Sequence, residues 1–259
     1  MKNKIKQLIK MSWLSICYSW QVLSRTSSSA NRIIVFHDIQ DKGLFRERMQ
    51  WLKNNYQVVS LSRLLSENGN NQIAITFDDG YANWITNALP ILQELNIPAT
   101  FFVCSGLIDL TGDEADSFIK NKLKRRQSLD LISSQQVQLL ADNNLFEIGS
   151  HTVNHVDLGQ SNSNNLWQTE ILRDKQNLEN LISKEVRWFA YPFGEKKNID
   201  KLSGEFLKKI GFKNSFSFVL GVIDKDQNSF MIPRTGLSLT DPIWTWSSII
   251  NGYWDWTKK

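Results

Sequence analysis

The sequence predicts an α/β domain, a parallel sheet or barrel with helices packed outside it. Two observations carry this. From Arg32 onward, short apolar runs of strand length alternate with longer stretches whose apolar residues recur at helical spacing, the pattern of repeated β-α units. The polar clusters then fall directly after apolar runs, where parallel α/β folds place their chemistry, at the C-terminal ends of strands. A chain of 259 residues suits one large domain of this class or two small ones. It is long enough to bury a full core without disulfides or a structural metal.

The elements follow in order. Residues 32–37 read as a buried strand. Leu44, Phe45, Met49, Trp51 and Leu52 mark a helix, and residues 57–59 a short strand. Residues 73–77 form the next strand, and Trp84, Ile85, Ala88, Leu89, Leu92 and Leu95 give a helical stripe. A strand at 99–104 follows. Ser134 is a fair N-cap for a helix over 135–143. Then come a strand at 146–149, a helix at 166–182, a strand at 188–191, a helix at 199–210 stopped by Gly211, and strands near 214–218 and 231–232. Residues 111–130 break the rhythm and read as a polar surface insertion. No internal repeat, low-complexity segment or linker divides residues 32–259.

The first thirty residues carry two signals. Lys2, Lys4, Lys6 and Lys10 precede an uncharged stretch, and Ser28-Ser29-Ala30 offers a small-residue cleavage site, as in a secretory leader. Trp13, Ser15, Tyr18, Ser19, Trp20 and Gln21 weaken its apolar region, however, and Arg25 lies in the cleavage zone. The stretch is too short and polar to span a bilayer. Ile5, Leu8, Ile9, Trp13, Ile16, Trp20 and Leu23 recur at helical spacing between lysines. Residues 1–31 are therefore expected to form an amphipathic helix on a membrane surface or on the domain. That favours a cytoplasmic or membrane-peripheral protein, and a leader would make it a secreted one. Net charge is +4, and Lys122, Lys124, Arg125 and Arg126 are the one dense basic run. So short a run is a solvated loop face, and no nucleic-acid partner is expected. Cys17 and Cys104 alone make neither a disulfide framework nor a thiolate zinc site.

Three clusters can carry chemistry. Ile73-Ala74-Ile75-Thr76-Phe77 runs into Asp78-Asp79-Gly80. Two adjacent carboxylates after an apolar strand are costly unless something uses their charge; a metal can take one and leave the other as a base. Phe146-Glu147-Ile148-Gly149 runs into Ser150-His151-Thr152-Val153-Asn154-His155. A helical turn there would put both imidazoles on one face. Two histidines and one carboxylate leave positions open for water and substrate. The third cluster is Phe189-Ala190-Tyr191-Pro192-Phe193-Gly194. Taken singly, Asp-Asp-Gly and Tyr-Pro-Phe-Gly are turn sequences, and most His-x-x-x-His pairs bind no metal. Their shared placement after strands is what argues for a site.

On these residues the chain resembles the polysaccharide deacetylases, the NodB-homology domain of carbohydrate esterase family four. The matching text is Thr76-Phe77-Asp78-Asp79-Gly80, then Ser150-His151-Thr152-Val153-Asn154-His155, then Tyr191-Pro192-Phe193-Gly194. Softer matches are Ile97-Pro98-Ala99-Thr100-Phe101-Phe102-Val103 and Glu147-Ile148-Gly149. The resemblance runs from about Arg32 to Leu237. It implies a distorted (β/α) barrel with fewer than eight strands, and residues 32–259 as a catalytic domain that removes N-acetyl groups from an amino-sugar polysaccharide or glycan. It implies Asp78 as general base and Asp79, His151 and His155 as ligands of a divalent metal, usually Zn2+, with Co2+ or another divalent ion in some members. It also implies that the backbone N–H of Phe193 helps hold the oxyanion.

The chain departs from the family pattern at two points. Many members carry an arginine two residues before the proline of the third motif, bracing the catalytic base; here that residue is Ala190. Arg187, three residues earlier, points to the opposite face of a strand. Arg234, after Pro233, is a candidate substitute, although a surface position is the commoner fate of such an arginine. Many members also carry a C-terminal catalytic histidine, and this chain has no histidine after His155. The remaining one is His37, in Val35-Phe36-His37-Asp38-Ile39. A lone histidine at a strand end is more often structural. The biofilm poly-N-acetylglucosamine deacetylases, however, look like a permuted version of the fold, and their N-terminal strand ends in a similar Tyr-His-Asp-Val text whose histidine serves as acid. The resemblance thus implies His37 as general acid, with Asp38 orienting it. Three alternatives stay open: a hydrolase of another amide or a cyclic imide on the same scaffold, a catalytically inactive carbohydrate-binding module, and a membrane-associated scaffold. Trp244, Trp246, Trp254 and Trp256 are expected to pack onto the barrel, with sugar stacking or a membrane interface as the other uses of such aromatics.

Overall fold

In the computed structural model, which describes residues 31–67, 69–160, 164–200, 202–224 and 227–255, the apolar runs become parallel strands. These are β1 (Arg32–Phe36), β2 (Gln57–Val58), β3 (Gln72–Asp79), β4 (Ala99–Val103), β5 (Phe146–Ser150), β6 (Trp188–Ala190), β7 (Asn214–Phe216) and β8 (Thr235–Gly236). Their spatial order is β7-β6-β5-β4-β3-β1-β8, and β2 pairs with the start of β3. All pairings between these strands are parallel. β1, β3 and β4 are buried along their whole length, which is why they read as unbroken apolar runs rather than alternating ones. Ile73, Ile75 and Phe77 pack outward into the main core beneath the helices. Ile33, Ala74, Phe102, Ala190 and Phe216 form a smaller inner core.

The sheet curls until its two ends share one segment. Ser217 N donates to Ile232 O at 2.8 Å and Ile232 N to Ser215 O at 2.9 Å. Three residues later Thr235 stands beside Ile34 of β1. The chain from 232 to 236 therefore crosses from β7 to β1 and closes a distorted (β/α) barrel. The strand expected at 231–232 is a single bridge to Phe216, because Pro233 has no N–H with which to continue a ladder. The pairing segment is β8 instead.

Helices α1 (Lys42–Asn55), α2 (Leu61–Ser66), α3 (Leu89–Glu94), α4 (Gly112–Asn121), α5 (Ser134–Asp142), α6 (Arg173–Ile182), α7 (Ser203–Lys209) and α8 (Ile243–Ile250) cover the outside. α3 follows a π-helical turn, Trp84–Ala88. Pro90 cannot donate to Thr86 O, and Lys42 Nζ takes that carbonyl at 3.0 Å. The cap of α5 is Ser133 rather than Ser134, with a capping box to Gln136; the reciprocal side-chain bonds select the earlier serine. α6 continues a helical stretch that begins at Asn164–Trp167 and passes through a second π turn, Gln168–Leu172. Residues 111–130 are not a plain surface insertion. α4 buries Ala115, Phe118 and Ile119, and Leu123 follows them inward. Their helical spacing was masked by the acids and lysines between them.

The C-terminal segment docks on the barrel. Trp246 is fully buried, its ring 5.9 Å from Phe36 and 6.4 Å from Trp51, and its Nε1 donates to Ser238 O at 2.9 Å. Trp244 and Trp254 are half-buried. Arg32, at the start of β1, ties this segment down by donating to Ile250 O and to Asp255. No helix among the described residues is long and apolar enough to cross a membrane. The amphipathic helix or leader expected over residues 1–31, and Trp256, lie outside the described residues, Asn31 apart.

Candidate active site

The site forms where β3, β5 and β6 end. β3 runs two residues past Phe77, so both carboxylates belong to the strand, with Asp78 opposite Phe102 and Asp79 opposite Val103. Asp78 shares the inner face with Ala74 and Thr76. At Asp79 the backbone turns away with φ 85°, a costly conformation for a residue with a side chain, and such strain gathers at functional sites.

Arg234 grips Asp78. Its Nη1 and Nη2 reach the two carboxylate oxygens at 2.7 and 2.6 Å. Its Nε donates to Ser217 O at 3.2 Å, and the guanidinium lies 5.1 Å from the Phe102 ring centroid. The surface position expected for Arg234 is thus overturned: it is 1% exposed, brought inside by the closure between β7 and β1. Ala190, buried in the inner core, takes up little of that space. Arg187 bonds Glu147 at 2.6 Å, away from the site. Burial pushes the Asp78 carboxyl up, but the charge and hydrogen bonds of Arg234, together with His151 and His37, outweigh it and hold Asp78 below the ordinary carboxylate range.

The histidines come from an irregular loop rather than the expected helical turn, with φ 66° at Thr152 and 51° at His155. Two buried acids one helical turn apart hold this loop. Asp174 accepts from His151 N at 3.0 Å, Ser150 Oγ at 2.6 Å and Ser105 N at 2.7 Å. Glu170 accepts from Asn154 N and Nδ2, both at 2.8 Å. Carboxylates that capture these backbone N–H groups compete with a helical turn. Burial raises Asp174 to about 6 against its donors. Sequence reasoning missed both acids. The available signal was acids at i and i+4 on the apolar stripe of a helix.

The imidazoles converge on Asp79. His151 Nδ1 lies 2.8 Å from Ala190 O and His155 Nδ1 3.2 Å from Lys122 O. A carbonyl can only accept, so each Nδ1 carries the proton and each Nε2 is left with its lone pair in the neutral ring. Both Nε2 atoms face Asp79 Oδ1, at 3.6 Å from His151 and 3.4 Å from His155. That oxygen is buried without a hydrogen-bond partner, while Oδ2 accepts from Tyr81 Oη at 2.8 Å. Burial lowers His155 to about 4, keeping it neutral. Burial pushes the Asp79 carboxyl up, while the three neighbouring imidazoles, His151, His155 and His37, together draw it down and hold it below the ordinary carboxylate range. The three ligand atoms lie within 4.8 Å of one another. An orphan carboxylate oxygen facing two imidazole lone pairs, each ring anchored through its other nitrogen, is a donor set that could hold a divalent cation.

A cavity of about 460 Å³ opens over these groups, and His37, Phe193 and Phe218 line it with Asp78, Asp79, His151 and His155. His37, from the end of β1, is half-buried there. The Asp38 carboxylate accepts from Gln40 Nε2 at 2.7 Å. Phe193 has φ 59° and presents its ring edge-on to His155, centroids 4.6 Å apart. Its backbone N–H has no acceptor among the described residues. Lys122 and Arg125, in the run read as a solvated face, support this wall: Lys122 through its carbonyl, Arg125 by lining the cavity.

The polysaccharide deacetylase family profile matches residues 66–215. The poly-beta-1,6-N-acetyl-D-glucosamine N-deacetylase of Staphylococcus aureus (strain MRSA252) is 28% identical over 207 residues, covering 75% of this chain and 66% of that protein. The Escherichia coli (strain K12) protein of the same name is 24% identical over 245 residues, covering 78% of this chain and 35% of its own length. This chain thus spans slightly under two thirds of the staphylococcal relative. Among solved structures, IcaB from Ammonifex degensii aligns with a TM-score of 0.68 at 18% identity, over 87% of this chain and 98% of that one. A polysaccharide deacetylase from Bacillus cereus aligns with a TM-score of 0.69 at 23% identity, over 85% and 69%. The last two likenesses concern the fold, the distorted barrel described above. With the profile covering more than half of its length, the chain belongs to the polysaccharide deacetylase family.

Proposed function

We propose that this chain hydrolyses the acetamido group of N-acetylglucosamine residues in a polysaccharide, using a divalent metal held by Asp79, His151 and His155. The observation that carries the reading is the buried Asp79 Oδ1, which has no hydrogen-bond partner and faces two imidazole Nε2 atoms. The nitrogen and oxygen donors suit Zn2+, with Co2+ as an alternative occupant. The choice of substrate follows the two relatives, both named for poly-β-1,6-N-acetyl-D-glucosamine.

When bound, such an ion polarises a carbonyl and lowers the pKa of water. The residues of the chain supply the rest. Asp78, kept ionised by Arg234, accepts a proton from the attacking water at a carboxylate oxygen. The Phe193 N–H is offered to the acetyl oxygen as negative charge develops on it. His37 gives its ring proton to the amine nitrogen as the C–N bond breaks, so that acetate and a free amino sugar leave. A catalytically inactive binding module rested on Ala190, and Arg234 provides the guanidinium that Ala190 lacks.

The test is acetate release from N-acetylglucosamine oligomers, with mass spectrometry recording the loss of acetyl groups. Chelated protein should be inactive and regain activity with Zn2+ or Co2+. Zinc-loaded protein that releases no acetate from them, yet opens a cyclic imide, would replace this reading with that of another C–N hydrolase.

A further inference from the structure

Tyr81 is a fully buried side chain beside the candidate ligands, and no step of the proposed reaction uses it. The backbone turns sharply to bring it there, with φ 85° at Asp79 and 136° at Gly80. A Cβ on Gly80 would also lie 2.7 Å from Leu107 Cδ1, so glycine alone turns the chain here without strain. The end of the segment 111–130 then pins residues 80–82. Ala82 N donates to Asp130 O at 2.9 Å and Ile132 N to Gly80 O at 3.0 Å, and Tyr81 pairs with Leu131 as an antiparallel bridge. The Tyr81 ring stands edge-on to Trp84, centroids 6.3 Å apart. Backbone and ring are thus both held.

The effect of this placement falls on the two oxygens of Asp79. Oδ2 accepts from the Tyr81 hydroxyl at 2.8 Å. Oδ1 has no hydrogen-bond partner and faces His151 Nε2 at 3.6 Å and His155 Nε2 at 3.4 Å. A carboxylate can hold a cation through one oxygen or through both. A hydroxyl bonded to Oδ2 engages that oxygen elsewhere, and a hydrogen bond to an ionised acceptor is among the strong ones. Asp79 is buried, so little water competes for the bond. Two imidazoles and a single oxygen leave open positions in a zinc shell. Chelation by both oxygens of Asp79 would take one of the positions that water and the acetamido oxygen require.

We propose that Tyr81 is a positioning residue that makes Asp79 a one-oxygen ligand and so keeps the remaining positions open. The proposal rests on the metal reading above. The test uses the full chain with Zn2+ or Co2+. In the unsubstituted protein, the infrared difference on Zn2+ addition should show the wide separation of antisymmetric and symmetric carboxylate stretches that marks coordination through one oxygen. The narrow separation of a chelating carboxylate overturns the proposal without any variant. Tyr81→Phe keeps the ring against Trp84 and removes the hydroxyl. It should weaken Zn2+ binding in a chelator competition by about 10–100-fold and narrow the separation of the stretches. It should also lower the visible absorption of bound Co2+, whose bands weaken as the coordination number rises. Tyr56→Phe removes a hydroxyl that Asn251 bonds at 3.3 Å, at the end of α1, and should leave the affinity and both spectra at the parent values. Spectra of Tyr81→Phe that keep the parent form, whatever its affinity, overturn the role of Tyr81. An unsubstituted protein that binds neither ion overturns the metal reading, and this proposal with it.

Discussion

Replacing Arg234 with methionine isolates the interaction on which the candidate base depends. Methionine keeps much of the apolar stem but removes every donor. Asp78 would lose both bonds from the guanidinium, at 2.7 and 2.6 Å, and Ser217 O its bond from Nε. Both partners are nearly excluded from water, at 1% and 3% exposure, so solvent cannot replace what is lost. Removing one partner of a buried pair costs about 3–5 kcal/mol, because the other charge stays buried and uncompensated. For a chain of this size that lowers Tm by roughly 6–20 °C. Asp78→Asn in the same protein removes the orphaned charge, so the double variant should be more stable than the two single losses predict, by about 1–3 kcal/mol. Urea denaturation of the four proteins, followed by circular dichroism, measures all of these terms. A single-variant loss below about 1 kcal/mol, the size of a surface pair, or strict additivity would refute the claim that Arg234 sustains the Asp78 carboxylate.

Further outcomes concern the reaction. Asp78→Asn should lower kcat by about 10²–10⁴-fold while zinc content, measured by elemental mass spectrometry, stays at the parent level; near-parent turnover removes Asp78 from the role of base. Asp174→Ala touches none of the proposed ligand atoms, but it frees the His151 backbone, so zinc affinity in a chelator competition should fall by about 10–100-fold. Unchanged affinity would mean that the loop holds its shape without this acid. His37→Ala should depress amide hydrolysis by about 10²–10⁴-fold and affect an activated acetate ester less, because a good leaving group needs little protonation. Equal losses on both substrates assign His37 a structural part.

Much of the fold was written locally. β1, β3 and β4 are buried on both faces, and their unbroken apolar runs announce this without any partner in view. The stripe from Trp84 to Leu95 and the capped start of α5 are likewise properties of neighbouring residues, though α5 chose the serine one position earlier. α4 is hidden in the sequence because its three inward residues are diluted by charged ones, and no strand forms near 231–232 because Pro233 cannot extend a ladder. α2 and α8 were also unread, the first for its shortness and the second because its tryptophans pointed to several uses at once.

The candidate ligands were legible for the same local reason: adjacent carboxylates and a spaced histidine pair at strand ends have few uses other than charge and coordination. The sequence by itself determined where strands end and which side chains stand there. Only the tertiary structure decided what those side chains meet. Arg234 lies 156 residues from Asp78 and reaches it because the segment between β7 and β1 closes the barrel. Asp174 and Glu170 shape the histidine loop from a helix packed behind it, and Phe218 is seated by glycines 24 and 18 residues away in the chain (218 − 194 and 236 − 218). Periodicity records how a residue faces its own element. The choice of partner across a closed sheet depends on curvature and packing, which no local window contains.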